Sequence, residues 1–212
     1  MTEPKKKKNE IFNSALYMFH TKGYTGTSLR DIASKANVNV AHIAYYFENK
    51  QGLLEHSFSV FFEEYLAEME KAISELERND PRGVMRDLVD RLMKFQCQNI
   101  TLTRFVWREL SIDSQVVREI ISTYLMKERY FFKSLLEAGF REKAYEKRPV
   151  SYTIIQLKGM LMMPFLHAQS LSEVWQVYPH EPYFLNKYSK EIMSWLEHYL
   201  FVAEETQLRA IQ

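Results

Sequence analysis

The sequence has little of what secreted proteins and membrane proteins depend on. Its 212 residues contain one cysteine, Cys97, so no disulfide can form within the chain, as is typical of proteins in a reducing cytoplasm. The densest apolar run, residues 159–166, contains Pro164 and is shorter than the ~18 residues of a membrane span. No apolar segment of the signal-peptide type follows the charged N-terminus. We therefore expect a cytoplasmic protein with no membrane contact.

Glycine and proline are also scarce, at six residues each, which favours long helices over sheets with many turns. Apolar residues make up 46% of the chain and aromatic residues 14%, enough for a folded core. No alternating strand pattern of any length occurs, so the fold class is all-α with about nine helices. The apolar spacing predicts helices at about residues 7–22, 29–36, 40–47, 50–78, 84–98, 102–111, 114–142, 151–168 and 181–205.

The residue patterns of catalysis and of metal binding are missing as well. None of the six histidines forms a helical pair four residues apart or a zinc-binding spacing with Cys97. The sequence contains no phosphate-binding glycine loop and no nucleophile elbow. We expect no enzymatic activity, no metal and no cofactor, and we interpret Cys97 as a small core residue.

What is present is an uneven distribution of charge. The net charge is only +1, yet residues 1–50 contain eight Lys or Arg and four acidic residues, while the rest of the chain contains twenty and twenty-three. A basic N-terminal segment on an acidic remainder favours contact with a polyanion. The run Lys5–Lys8 has two interpretations, a solvated tail or an arm that adds salt-sensitive affinity for a nucleic acid.

Two short helices joined by a tight turn are predicted between residues 27 and 47. Thr27 or Ser28 can cap the first helix, with Asp31 completing a capping box. Asn39 can cap the second helix, which covers Val40–Phe47. This arrangement is a helix-turn-helix. Because Ile43 and Phe47 are four residues apart and point inward, the polar-tipped aromatic residues between them should point outward.

The segment "GYTGTSLRDIASKANVNVAHIAYYFENKQGLL" resembles the TetR family of bacterial regulators. The matching residues are Thr27 or Ser28, Ile32, Ala33, Ala36, Val38, Ile43, Tyr46, Phe47, Lys50 and Leu53. Asn37 stands where the family usually has a turn glycine, and Ala44 where it usually has a tyrosine. The resemblance implies an N-terminal three-helix head at residues 1–50 that binds DNA. It also implies a helical dimerisation and regulatory body at residues 51–212.

The resemblance further implies a homodimer that binds a palindromic double-stranded DNA site, which would place the protein at the nucleoid. Val40, Ala41 and His42 would approach base edges, and the other residues would contact phosphates or cap helices. The implied DNA-binding set is Thr27, Ser28, Arg30, Asn39, Val40, Ala41, His42, Tyr45, Tyr46 and Lys50. For Tyr45 and Tyr46 the alternative is a place in the core.

By the same resemblance, the last two long helices form a four-helix dimer interface. Both helices are apolar on more than one face, which independently indicates burial on two sides. The expected interface residues are Leu157, Met160, Leu161, Phe165, Ile192, Trp195 and Tyr199. The methionine-rich segment "GMLMM" has an alternative role as the lining of a ligand pocket, since methionine adapts to varied shapes.

Segments of the C-terminal part resemble one sporulation-associated member of that family. They are "LTRFVWREL", "ISTYLMKERY", "LKGMLMMPFL" and "PHEPYF". This likeness implies an effect on cell division through the tubulin-like protein FtsZ. A polar contact surface for that partner is expected at Arg104, Arg108, Glu109, Arg118 and Glu119. The alternatives are a solvated face with local ion pairs and, for the whole protein, a repressor that responds to a small ligand.

Overall fold

The described part of the chain is built from helices. The structure, a computed structural model, describes residues 3–112 and 114–203. Ten α-helices are followed by a π-helical turn at Leu196–Leu200, and within those residues one isolated antiparallel bridge, between Tyr145 and Phe201, is the only β pairing. The helices are α1 Glu3–Lys22, α2 Leu29–Lys35, α3 Val40–Phe47, α4 Lys50–Glu75, α5 Pro81–Gln98, α6 Ile100–Ile112, α7 Gln115–Arg141, α8 Val150–Leu166, α9 Ala168–Val174 and α10 Pro182–Trp195. The prediction of an all-α fold is confirmed.

Several helix boundaries differ from the predictions. Helix α1 begins at Glu3, so Lys5–Lys8 lie in its first turns. Helix α5 begins at Pro81, because the Asp80 side chain accepts a hydrogen bond from the Gly83 amide at 3.2 Å and proline suits a first helical position. Helix α9 was not predicted. The helix predicted at residues 181–205 ends at Trp195, and its last two residues lie outside the described part of the chain.

The chain divides into two compact units. Unit one comprises residues 1–63 and 101–121, and unit two the remainder. The expected division of function at residue 50 stays a prediction, because compactness does not say which residues bind DNA. Among the described residues, no helix combines the length and the apolar character needed to cross a bilayer.

Unit one is held together by aromatic side chains from four helices. Phe19 of α1 stacks on Phe105 of α6 with ring centroids 5.1 Å apart. Trp107 of α6 meets Phe61 of α4 edge-on, also at 5.1 Å. Both arrangements are favourable for aromatic pairs, and burial of the rings supplies most of their stabilisation. Phe47 of α3 is buried in the same unit.

In unit two, the beginning of α5 binds the segment after α7. The buried Arg82 donates to the carbonyls of Ala144 (3.2 Å) and Val202 (2.7 Å), and the Tyr145 hydroxyl donates to the Pro81 carbonyl at 2.6 Å. The Tyr145 ring also lies against Gly139 of α7, where an added Cβ would come within 2.1 Å of the ring. Position 139 therefore has no room for a side chain.

Gly139→Ala should destabilise unit two by roughly 1–3 kcal/mol, since a methyl group forced against a packed ring is overpacking. The matched control is Gly83→Ala in α5, where an added Cβ has no neighbour within 4 Å. That change should leave stability unchanged or raise it by up to about 1 kcal/mol. Urea unfolding of both variants measures the difference, and equal midpoints would contradict the assigned packing.

Candidate nucleic-acid interface

The N-terminus of α2 is fixed by a capping box, as predicted. The Ser28 side chain accepts a hydrogen bond from the Asp31 amide at 3.1 Å, and the Asp31 carboxylate accepts one from the Ser28 amide at 2.9 Å. Lys22 of α1 donates to the same carboxylate at 2.8 Å. The Lys22 hydrogen bond is the main cause that holds the pKa of Asp31 below its usual range, followed by those from Ser28. Ser28 is exposed at this helix end, and the capping box fixes its backbone.

Thr27 has a different role from the DNA contact that the family resemblance implied. Its side chain is buried, and its hydroxyl lies 3.1 Å from the Met18 carbonyl and 2.7 Å from the Gly23 carbonyl, the two acceptors for its one proton. A buried hydroxyl bound to its own backbone has no free surface for a phosphate. Thr27 therefore connects the end of α1 to the beginning of α2, and Ser28 alone of this pair faces solvent.

The turn between α2 and α3 takes the predicted form. Asn37 adopts a positive φ of 51°, a region that asparagine tolerates better than most residues. The Asn39 side chain then caps α3 by accepting from the Ala41 amide at 2.9 Å. The His42 amide donates to the Asn39 carbonyl, also at 2.9 Å. The partial positive charge of this helix end attracts anions.

Helix α3 buries one face and exposes the other. Ile43 and Phe47 are buried, as predicted from their spacing. Ala41, His42 and Tyr45 are exposed, Tyr45 by 80%, and Val40 is half-buried. The exposed residues form one continuous face of α3, which carries the rings of His42 and Tyr45.

Tyr46 lies between the two faces of α3. It is half-buried, and its ring meets that of Tyr45 edge-on with centroids 4.9 Å apart. Tyr45 is therefore a surface residue, whereas Tyr46 contributes to both packing and surface. Their contact with DNA stays a prediction.

A two-residue turn joins α3 to α4. Glu48 adopts φ 62° and ψ −57°, and the Asn49 amide donates to the Phe47 carbonyl at 2.6 Å, which together describe a γ-turn. The Asn49 side chain in turn accepts from the Gly52 amide at 3.0 Å. An added Cβ at Gly52 would lie 2.0 Å from the Phe47 carbonyl oxygen, so the close approach of the two helices requires glycine.

Lys50, the first residue of α4, points back to the loop before α2. Its ammonium group donates to the carbonyls of Tyr24 and Thr27, both at 3.1 Å. It also lies 4.5 Å from the centroid of the Tyr24 ring. The family resemblance implied a phosphate contact for Lys50, whereas the structure gives its ammonium group contacts within the protein.

The remaining basic groups of this region are Arg30 and the lysines of α1. Arg30 is exposed near the beginning of α2. Lys5 and Lys6 are exposed, and Lys8 extends over the Phe47 ring with its nitrogen 5.4 Å from the centroid. Four lysines in the first turns of a helix oppose its dipole, whose N-terminal end is positive. A nearby polyanion would offset that repulsion.

The expected partner surface is divided between buried and exposed groups. Arg108 donates to the Phe19 carbonyl at 2.7 Å, and its Nε lies 3.5 Å from the Glu109 carboxylate. Glu109 is nearly buried, and burial raises its pKa although Arg108 opposes that rise. Arg104 is half-buried, whereas Arg118 and Glu119 are exposed on α7. The accessible part of this surface is therefore the beginning of α7.

Most of the expected dimer contacts lie inside the core of unit two. Leu157, Leu161 and Phe165 of α8 and Ile192 of α10 are buried within one chain, while Met160, Trp195 and Tyr199 are half-buried. The sequence pattern identified apolar helices correctly, and the contacts of these residues with a second copy stay a prediction. The outward face of α8 carries Tyr152 (68% exposed), Ile155 (64%) and Met163 (45%), at positions that share one side of a helix.

The described residues were also compared with the requirements of a metal site. Residues 3–112 and 114–203 contain no group of three His, Cys, Asp or Glu side chains placed to hold a metal ion. Burial raises the pKa of the Cys97 thiol to about 11, so the thiol stays protonated at neutral pH and is a poor nucleophile.

Comparisons with known proteins agree with this geometry. Residues 11–56 match the model of the bacterial regulatory proteins of the tetR family. The probable HTH-type transcriptional regulator YttP of Bacillus subtilis is 46% identical over 189 residues, which cover 89% of this chain and 91% of YttP.

Two solved structures share the fold at low sequence identity. The TetR family transcriptional regulator PfmR of Thermus thermophilus superposes with a TM-score of 0.72 at 18% identity, over 88% of this chain and 96% of PfmR. A putative fatty acid metabolism regulator of Clostridium perfringens gives a TM-score of 0.69 at 21% identity, over 88% and 96% of the two chains. The N-terminal helix-turn-helix, the fold and the likeness to YttP over 89% of this chain lead to one conclusion: the chain belongs to the TetR family of bacterial regulatory proteins.

Proposed function

We propose that two copies of this protein bind a palindromic DNA site, each placing α3 in a major groove. The observation that carries the proposal is the two-faced α3, anchored through Ile43 and Phe47 and exposed at Ala41, His42 and Tyr45. A helix that is fixed on one side and bare on the other can enter the groove without rearrangement.

The residues of α3 divide by chemistry into base contacts and phosphate contacts. Val40 and Ala41 can offer only apolar contacts, which suit thymine methyl groups, and His42 can donate to or accept from a base edge. Tyr45 and Tyr46 suit phosphates through their hydroxyl groups. On α2, Ser28 and Arg30 suit the neighbouring strand, while Asn39 supports the site by capping α3.

Pairing of two copies is proposed through the outward face of α8. Tyr152, Ile155 and Met163 form an exposed apolar row on that helix. Such a row is costly in water and is typical of a surface that another protein covers. Pairing would set the two α3 helices about 34–36 Å apart, or a multiple of it, to meet successive major grooves.

A ligand-responsive repressor is the second candidate, and a buried polar cluster in unit two favours it. Glu128 of α7 is 2% exposed and accepts from Lys158 of α8 at 2.5 Å. Tyr65 is also buried, and its pKa is raised well above the usual value, first by burial and then by Glu128. Charged groups deep in a helical body are costly unless paired, and they are able to orient a polar ligand.

A third possibility is a role in cell division through FtsZ during sporulation. It rests on the resemblance of the C-terminal segments to RefZ, a TetR-like protein of spore-forming Bacillus relatives. The exposed charges of Arg118 and Glu119 offer a surface for such a protein partner.

Genome-wide mapping of bound DNA sites tests these proposals against one another. Palindromes near the replication origin would favour the role in division. A site that overlaps a neighbouring efflux or metabolic operon would favour the ligand-responsive repressor. The absence of any enriched palindrome would contradict DNA binding of the proposed kind.

Ile155→Glu should separate the dimer, because a carboxylate on the α8 face would be buried without a partner. Light scattering should then give the mass of one chain, and affinity for a palindromic site should fall. The control is Met126→Glu on α7, a residue of the same exposure at 63%, which should leave mass and affinity unchanged. A dimeric Ile155→Glu protein would contradict the α8 interface.

His42→Ala and the replacement of Lys5–Lys8 by glutamine should weaken DNA binding in different ways. Loss of His42 should cost roughly 1–3 kcal/mol and relax the preference at particular base pairs. Loss of the lysines should weaken binding to all sequences and reduce its dependence on salt. Titration of palindromic and scrambled duplexes at several salt concentrations distinguishes the two effects. Unchanged base preferences in His42→Ala would show that His42 does not read the sequence.

Charge reversal of Arg118 and Glu119 should spare folding and DNA binding but abolish any effect on FtsZ assembly. Exposed charge changes cost little stability, whereas like charges at a contact oppose docking. The assays are an operator shift and FtsZ polymerisation with and without DNA, with Arg129→Glu on the same helix as control. Wild-type protein without any effect on FtsZ would exclude this role.

A further inference from the structure

The ammonium group of Lys50 is occupied on several sides. Two of its N–H groups have acceptors in the carbonyls of Tyr24 and Thr27, both at 3.1 Å. The Tyr24 ring covers it from a centroid distance of 4.5 Å, where a cation is attracted to the ring face. An ammonium group has three donors, so two carbonyls and a ring leave little of it for an external anion. The residue as a whole is half-buried.

The carbonyls that Lys50 binds belong to the loop between α1 and α2. Thr27 directly precedes Ser28, the residue that caps α2. Lys50 also begins α4 directly after the two-residue turn that follows α3. One side chain thus ties the start of α2 to the end of α3, the two places where DNA would be gripped.

We propose that Lys50 is a positioning residue, which fixes the loop before Ser28 against the start of α4 and does not contact DNA phosphate. The proposal rests on the proposed DNA binding, and it explains how the phosphate-binding end of α2 is aligned with α3. Hydrogen bonds from a charged donor to carbonyls are stronger than neutral ones, so one residue suffices to hold the loop.

The dependence of affinity on salt distinguishes the two roles of a lysine. Each phosphate contact that is lost lowers the slope of log K against log salt by about 0.9, because fewer counterions are released. A positioning residue that touches no phosphate leaves the slope unchanged while the affinity falls. Arginine serves phosphates at least as well as lysine, but its planar, longer group does not fit the pair of carbonyls in the same geometry.

The experiment compares Lys50→Met, Lys50→Arg and Arg30→Met on a palindromic duplex recovered by the mapping of bound sites. Lys50→Met should weaken binding roughly tenfold to a hundredfold, the range for loss of a charged hydrogen bond, with an unchanged salt slope. Lys50→Arg should be weakened as well. Arg30→Met, at an exposed basic residue, should lower the slope by about 0.9. Thermal unfolding checks that each variant is folded.

A measurement without DNA tests the positioning directly. Amide hydrogen exchange of Ser28 and Asp31 in the free protein should speed up in Lys50→Met, since the loop before α2 loses its anchor. Unchanged exchange would overturn the proposal. So would a salt slope reduced by about 0.9 in Lys50→Met, or wild-type affinity in Lys50→Arg. Wild-type protein that binds no palindrome would contradict the proposed function and leave the exchange result to decide the role of Lys50.

Discussion

Burial of Phe47 and Ile43 is the constraint on which the proposed DNA-binding surface depends. Helix α3 has eight residues, too few to be stable alone in water. Its inner face must therefore be held by neighbours, and the Phe47 ring lies 5.3 Å from that of His56, which in turn meets Phe12 at 4.9 Å. Burial, assisted by Lys8, lowers the pKa of His56, so the ring stays neutral and packs as an apolar group. The burial of Ile43 and Phe47 therefore determines which residues of α3 are exposed to solvent.

The basic residues of the first fifty positions serve two purposes. Lys22 is bound to the Asp31 carboxylate and Lys50 to two carbonyls, so both stabilise the local fold. Arg30 and the lysines at the start of α1 project from the surface. A count of charges along the sequence treats all of these as equal, whereas the geometry separates the basic groups bound within the protein from those exposed to solvent. The positive charge available to a polyanion is therefore smaller than the sequence total.

The sequence was sufficient for features that depend on near neighbours. Capping by Ser28 and Asn39 and the inward positions of Ile43 and Phe47 follow from residue types a few positions apart. The contacts of Thr27 with Met18 and of Lys50 with Tyr24 and Thr27 did not follow, because these acceptors lie 9, 26 and 23 residues away. The burial of Leu157, Leu161 and Phe165 within one chain also did not follow, since apolar spacing does not tell the core of one chain from a contact with a second. The exposed row of that helix, like the buried one, lies along one side of it.

Gly52 shows how a residue can be indispensable for recognition without approaching the nucleic acid. Any side chain there would collide with the Phe47 carbonyl oxygen, 2.0 Å from where its first carbon would stand. The turn at Glu48 and Asn49 cannot shift to relieve this collision. The positive φ of Glu48 and the short hydrogen bond from the Asn49 amide to the Phe47 carbonyl already fix the path of the chain. A scan of all substitutions for loss of DNA binding would thus mark position 52 as intolerant, as it would the exposed residues of α3. Intolerance to substitution in this segment would therefore map the joint between two helices as well as the surface that we propose reads DNA.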